Sequence, residues 1–547
     1  MSQRLTGSLL GLALATGATV ATVAIGSPSS AADPEPFVVV GTSDVFDSFL
    51  TQTVLEPGFE KAYPQYDFQY VSRGTGAAIT YAQAGTADAM IVHAAALENQ
   101  FVAAGYSDEE YGRAIFWGDY VLLGPADDPA GVLASAPHDI AGAFARIAAA
   151  GAAGTANFVS RGGTPGTTVQ EHAIWALTTG TTTCTVSAAN GGGASPSTST
   201  GSCANPIALP SWYHATGLTQ GPNILNGDVC NYDGGGCYVF TDRGTYNYRA
   251  SKGQITRLGI VTRDNDAAAP GGVPLLINSF HAYALSPEKF ADSPNVDINN
   301  EAALLFLDWV TSPETQQAIG AYLNESADPP FLPSAAPSLT LDDPLPTTVK
   351  AGERISVGAT LANVTPGTPA LDGVLVKLLA TPPGDPTGAP VLVSAGTTDG
   401  EGHVTIGYRP QADATYTLDV GPITKVEDAT LDPVFGDLLA PTSLTIGQVE
   451  VQGRLQDVAR SISGGRLTLT GVLAPVVPAG DTGQLVLLAA QGQRELKPVG
   501  TQVVRAGAKK FDVTVRLGAG TWRYRLQYVN VGVIRTAQTS VRSVTLS

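Results

Sequence analysis

An α/β domain followed by two all-β sandwich domains is the fold class this sequence predicts, on three observations. From Pro36 to about Pro333 short apolar runs alternate with amphipathic stretches of helical period. Past Pro333 the helical period stops and strands of period two take over. Pro-rich joints near Pro333–Pro337 and near Pro441 separate these textures. A chain of 547 residues is too long for one core, so two to four domains are expected on length alone.

The first element is a leader. One basic residue, Arg4, precedes an apolar run and then small residues up to Asp33, the pattern of a cleaved secretory signal over 1–32 with cleavage after Ala32. No cysteine follows that run, so a lipid-anchored N-terminus is not expected, and no later stretch is long and apolar enough to span a bilayer. An exported, cell-envelope-associated protein is the expectation.

The α/β pattern follows over 33–333, in "FVVVGTSDVFDSFLTQTVLEPGFEKAY", "YDFQYVSRGTGAAITYAQAG" and "ADAMIVHAAALENQFVAAG". The first two strands run into small hydroxylated residues before a helix begins, Thr42 and Ser43 in one, Thr75 and Gly76 in the other. The third such turn is "NFVSRGGTPGTTVQEHAIWALTTG". Gly162, Gly163 and Gly166 allow close backbone approach, and Thr164, Thr167 and Thr168 add hydroxyls around the guanidinium of Arg161. Helix starts present unpaired amides, and in open parallel sheets ligands sit beyond the strand ends, so the three loops are expected to face one anion cleft. As read, the cradle contains donors only. An ordinary capped helix with a surface arginine is the competing reading of the Arg161 loop taken alone.

All four cysteines, Cys184, Cys203, Cys230 and Cys237, fall in one segment of an exported chain, which favours disulfides. Local pairing of Cys184 with Cys203 and of Cys230 with Cys237 is preferred among the three possibilities. Tetrahedral zinc is disfavoured, because close C-x-x-C spacing and adjacent histidines are lacking. A disulfide-closed insertion at about 180–211, near the cleft rim, is expected.

The strand-only texture divides into 334–448, through "ERISVGATLANV" and "ATYTLDVG", and 449–547, through "KFDVTVRL" and "TWRYRLQYV". Net charge is −18, but residues 451–547 carry thirteen Lys and Arg against four acids, a balance of +9. Alternation in "TWRYRLQYV" sets Trp522, Tyr524 and Leu526 inward and Arg523 and Arg525 outward, with Lys509, Lys510 and Arg516 as extensions of the patch. A solvated surface, or a face docked on the chain's own acidic body, is the first reading of this face, and retention on a polyanionic wall polymer or lipid headgroups is the partner hypothesis set against it. No nucleic-acid partner is expected.

The α/β part resembles the tungstate-binding proteins of ABC importers, with the type II periplasmic-binding fold, over about Pro36–Pro333. The resemblance lies in "GTSDVFDSF", "RGTGAAI", "ADAMIVHAAALE", "GDYVLLGPADDPAG", "FVSRGGTPGTT", "FTDRGTY" and "FLDWVTSPETQQAIGAY", in order and spacing. It implies a two-lobed binder with oxyanion contacts from Thr42, Ser43, Thr75, Gly76, Arg161, Thr164, Gly166 and Thr167, no cofactor, no chemistry, and a permease partner. The two tail modules are expected to be immunoglobulin-like. The chain departs from the family where two aspartates and a histidine usually occur in the arginine loop; here Gly163, Thr164 and Thr168 stand.

A donor-only site suits dianions that carry no proton, which places tungstate first and molybdate second. Hydrogen phosphate would bury a P–OH without an acceptor, costing about 1–3 kcal/mol. The alternatives are a phosphate binder of the same fold, or a surface adhesin with a vestigial binding domain. A hydrolase built on His93 or His172 is disfavoured for want of a G-x-S-x-G elbow. Arg243 in "FTDRGTY" is expected to be structural, paired with Asp242.

Overall fold

The computed structural model describes residues 33–547 except 325–327, 384–387, 429–434, 475–481 and 531–535. The leader expected at 1–32 lies outside the described residues. The α/β part is organised around the strand Gly112–Pro125, whose 14 residues are almost all buried and read as a continuous apolar run, as a strand covered on both faces must. Along its first half it pairs antiparallel with Ile277–Ala284, and along its second with Cys237–Asp242. The full order is Tyr66–Arg73, Glu35–Thr42, Ala89–Val92, Ile277–Ala284, Gly112–Pro125, Cys237–Asp242, Asn157–Ser160, Tyr213–Ala215.

Two lobes result. Phe37, Phe59, Phe68 and Phe306 pack the core of the first, while Phe144, Phe158, Trp175 and Phe240 pack that of the second. Glu35–Thr42 is parallel to both of its neighbours, so its carboxyl end and those of Tyr66–Arg73 and Ala89–Val92 open on one side. Asn157–Ser160 ends toward the same cleft from the second lobe. The strands Gly112–Pro125 and Ile277–Ala284 are the continuous backbone between the lobes.

Both disulfides have the expected partners, Cys184 with Cys203 and Cys230 with Cys237. The first closes a small three-stranded sheet of Thr183–Thr185, Ala194–Pro196 and Gly201–Ser202. Its loop returns to the cleft rim, where Gly191 lies against Val169.

Beyond Pro333 two sheets, of three and five strands, enclose a core that includes Val357, Leu361, Leu378, Tyr416 and Leu418. The division read at 448/449 falls inside the strand Thr442–Gln452, whose Val449 and Val451 are buried in this core. The boundary therefore moves to about Gln452. This unit is also not independent of the first lobe: its hairpin Ile423–Asp428 and Phe435–Leu439 adds to the lobe's sheet, with Asp437 and Leu438 beside Gly112 and Arg113. The last unit again has three-stranded and five-stranded sheets over one core. Tyr524 and Leu526 are buried there and Trp522 packs against them, as alternation requires. The extended basic patch does not form. Arg523 and Arg525 lie on the five-stranded sheet, whereas Lys510 and Arg516 point outward from the three-stranded sheet across the core. Arg523 also donates to Gly492 O and to Gln493. No helix among the described residues is long and apolar enough to cross a membrane.

Candidate functional site

The loop that carries Arg161 follows the buried strand Asn157–Ser160 and holds Gly162 and Gly163 at φ of 68° and 70°, the left-handed backbone that turns the chain from strand to helix. Helix Gly166–Leu177 then begins with no side-chain cap. Helix Thr75–Gln83 also begins uncapped, and its Gly76 lies opposite Thr164 across the gap. A Cβ on Gly166 would fall 2.3 Å from His93 Cε1, so only glycine lets this helix start approach the first lobe. Two uncapped helix starts, one from each lobe, therefore meet beside Arg161.

Arg161 is buried, at 6% exposure. It donates to Leu218 O at 3.2 Å and to Gln220 Oε1 at 3.2 Å, and its Nη1 stands 3.6 Å from Asp44 Oδ1. Ser43 Oγ and Thr75 Oγ1 are buried without hydrogen-bond partners. Thr42 is occupied: its Oγ1 accepts from Asp44 N and meets His93 Nε2 at 3.1 Å. Thr167 is likewise engaged, with Gln220 Oε1 at 3.2 Å and Asp44 Oδ2 at 3.4 Å. Thr164 is exposed on the rim, and Thr168 closes its own loop onto Gly162 O. Through Asp44, hydrogen bonds and an ion pair link Thr42, Arg161 and Thr167; Gly76 approaches Thr164, Ser43 and Thr75 are buried, and Thr164 is the exposed one of the eight. Beside them opens a cleft of about 750 Å³, with His93 and Gly166 on its inner wall and Pro366–Pro369 of the next domain on its outer one.

The donor-only description is overturned by Asp44. Its carboxylate is fully buried, with Oδ2 at 3.2 Å from His93 Nε2 and Oδ1 lacking any hydrogen bond. Burial pushes this carboxyl up, but His93, Arg161 and the Thr167 hydroxyl outweigh it and hold it below its ordinary value, so it is ionised. Asp242, near by, is driven the other way, well above the ordinary carboxyl range, by burial and by the charge of Asp44. Its Oδ1 caps helix Arg243–Ser251 through Thr245 N at 2.7 Å. Arg243 is structural, but its partners are Asp119 and, at 2.9 Å, Asp328, not Asp242.

His93, Gln220 and Asp44 were missed as site residues. Asp44 lay in view within "GTSDVFDSF", but its approach to Thr167 spans 123 positions. Gln220 opens helix Gln220–Val229 after the insertion, and no local pattern marks it. His93 is neither surface nor simple packing, since Tyr120 OH holds its Nδ1 at 2.9 Å and aims Nε2 at Thr42 and Asp44. His172 is separate: it is buried under the insertion, and burial lowers it to about 4.

Behind the arginine loop, Glu171 accepts from Ser160 Oγ at 2.7 Å, and Ser160 Oγ in turn accepts from Gly162 N. Tyr213 OH and Trp175 Nε1 donate to its other oxygen. Burial raises Glu171 from 4.5 to about 7. The fold favours the protonated form, so stability falls as pH rises from 4.5 to about 7 and is level above that. Glu171→Gln mimics the neutral acid and is expected to remove this slope, on the order of 1–3 kcal/mol. Melting temperatures of both proteins across that window check it; parallel curves would refute the assignment.

This architecture, two α/β lobes joined by continuous strands with a polar site between them, is that of a two-lobed solute-binding protein. A family profile described as a PBP superfamily domain matches residues 15–314, more than half of the chain, and the chain belongs to that superfamily. It is 28% identical over 372 residues to a putative ABC transporter anion-binding protein of Haloferax volcanii, covering 65% of this chain and 92% of the relative. It is 29% identical over 300 residues to the tungstate-binding protein TupA of Peptoclostridium acidaminophilum, covering 55% and 86%. Among solved structures, the tungstate-binding protein TupA of Desulfovibrio alaskensis is 28% identical with a TM-score of 0.39, over 55% of this chain and 98% of that one.

Proposed function

We propose that this chain captures a tetrahedral oxyanion between its lobes outside the cell and delivers it to the permease of an ABC importer, performing no chemistry. The observation that carries the reading is a buried Arg161 beside Asp44 of the opposite lobe, with the uncapped starts of helices Thr75–Gln83 and Gly166–Leu177 close together and the hydroxyls of Ser43 and Thr75 buried without partners. A buried guanidinium with surrounding N–H and O–H donors is the chemistry that holds a compact anion after its water is removed. Similarity to the putative anion-binding protein of Haloferax volcanii supports an anion, and similarity to TupA of Peptoclostridium acidaminophilum supports tungstate. Tungstate, then molybdate, is the series implied by the resemblance. Hydrogen phosphate stood behind them for want of an acceptor in the site, and Asp44 Oδ1 is a buried carboxylate oxygen without a hydrogen bond.

Titration calorimetry of the full chain with tungstate, molybdate, sulfate and phosphate in turn tests the reading. At a ligand concentration 100 times Kd, stabilisation of about 2.7 kcal/mol is expected, seen as a rise in melting temperature. If none of the four produces heat or stabilisation, the oxyanion reading fails and the adhesin with a vestigial cleft takes its place.

A further inference from the structure

The β unit that follows Pro333 is anchored on the first lobe. Its strand Phe435–Leu439 runs beside Gly112 and Arg113, Asp437 meets His281 at 3.0 Å, and Ala114 of the connecting strand is part of the β core. Ala440 N donates to Ala335 O, and Ala335 N donates to Gln316 on helix Pro313–Ala321, whose Ile319 is buried in the first-lobe core. A different part of the unit, the turn 363–369, reaches the second lobe. Gly367, at a φ of 77°, lies against Pro274, whose Cγ a Cβ on this glycine would meet at 2.5 Å. Pro274 belongs to the single turn Val273–Leu276, and Leu276 is buried in the second-lobe core. Residues 365–369 also line one cavity with Leu97 of the first lobe, Gln170 of the second and Ile277 of the connecting strand.

The turn is stiff. Thr365 N donates to Asn363 Oδ1 at 3.0 Å, Thr368 Oγ1 donates to Thr365 O at 2.7 Å, and Pro366 and Pro369 have their φ fixed by the ring. The two lobes are shut on each other: Asp47 Oδ2 accepts from Gly221 N at 2.9 Å, and the rings of Phe49 and Tyr248 stack at 4.2 Å. Rotation of one lobe against the other bends the strands Gly112–Pro125 and Ile277–Ala284, which lie next to this turn. A body fixed to one lobe and resting on the other changes its contact with each such rotation, and a contact made in one arrangement shifts the population toward it.

We infer that the turn 363–369 is a hinge brace: through Pro274 it holds the second lobe in the closed orientation, so that the β unit strengthens anion binding without touching the anion. The effect on affinity rests on the oxyanion reading above, whereas the effect on lobe orientation does not. A chain that spends less time closed binds more weakly in proportion to the closed fraction it has lost.

The test uses the full chain with spin labels at Ala84→Cys on the first lobe and Ala152→Cys on the second, both exposed positions; the four native cysteines are in disulfides and take no label. Gly367→Val forces the turn off Pro274, and Pro274→Ala removes the ring beneath it. Each is expected to broaden a narrow interlobe distance distribution toward longer distances. Tungstate, as the probe anion, is expected to bind both variants about three- to tenfold more weakly and to restore the narrow distribution at saturation. Should Gly367→Val lose its cooperative melting transition, Pro274→Ala is read alone. Distance distributions that match wild type in the variants overturn the brace and leave oxyanion capture standing. Distances that lengthen in the variants, while none of tungstate, molybdate, sulfate and phosphate binds the wild-type chain, support the brace and overturn the oxyanion reading.

Discussion

Arg161→Ala is expected to weaken oxyanion binding by about 2–5 kcal/mol, enough to abolish measurable capture at micromolar ligand. Two effects add. On the proposed function the guanidinium is the buried cation for the ligand, and its removal also leaves the Asp44 carboxylate with His93 and Thr167 as its remaining partners. A negative site then faces a negative ligand in a region where burial keeps water from screening the repulsion. Arg161→Lys is expected to fall between, because lysine restores charge but not the fork that reaches Leu218 O and Gln220 together. Thr167→Ala removes the hydroxyl contacts that hold Gln220 and the Asp44 carboxylate in place and is expected to cost about 1–2 kcal/mol. Titration calorimetry on the three variants measures the series. Wild-type affinity in Arg161→Ala would reduce the glycine-rich loop to a helix start with a structural arginine.

The second large effect is expected where the following domain is fastened to the first lobe. His281, on the strand Ile277–Ala284 that joins the lobes, is fully enclosed between Glu98, at 2.8 Å, and Asp437, at 3.0 Å. Tyr283 OH donates to the same Glu98 oxygen at 2.7 Å. Burial alone would lower the imidazole, but the two carboxylates outweigh it and hold it well above its ordinary value, so it is a cation at neutral pH. His281→Ala leaves two buried carboxylates facing each other and is expected to destabilise the first lobe by about 3–5 kcal/mol. Asp437→Asn, which leaves Glu98 in place, should cost less. Because the folded value is raised, the stabilisation is fully present below 6.5 and is lost as pH rises through the folded value. Denaturant unfolding of wild type and His281→Ala at neutral and alkaline pH should therefore show a gap that narrows on the alkaline side. A gap that is absent, or that widens with pH, would show that the cluster is neutral or energetically idle.

That cluster also explains why the domain boundary was only partly legible. The texture change at Pro333 is real, since helical period ends there, yet strand Leu332–Pro333 pairs with Trp117 and Phe116, and the hairpin carrying Asp437 returns to Gly112 and Arg113. Composition records which local structure a segment prefers; it carries no record of which distant edge a strand will join.

The site divides along the same line. Residues 161–168 determined by themselves that a strand turns sharply into an uncapped helix, because two glycines permit φ near +70° and the helix start lacks a side-chain acceptor. The hydroxyls after the first two strands were readable for the same local reason, and the short cysteine spacings of 19 and 7 made the disulfide pairing readable too. The tertiary structure decided what shares the space with Arg161. Gln220 arrives from 59 positions away, and Asp44 and His93 from the opposite lobe. The interval between such partners is set by intervening strands and helices that vary freely in length, so no spacing encodes the contact. Thr42 and Thr167, equal in sequence to Ser43 and Thr75 as candidate donors, were separated from them only by packing, which spent the first pair on capping and on Gln220 and left the second pair unpartnered. The cationic side chain of the site was legible in local residues, whereas the buried Asp44 carboxylate 3.6 Å from it is brought there only by the fold.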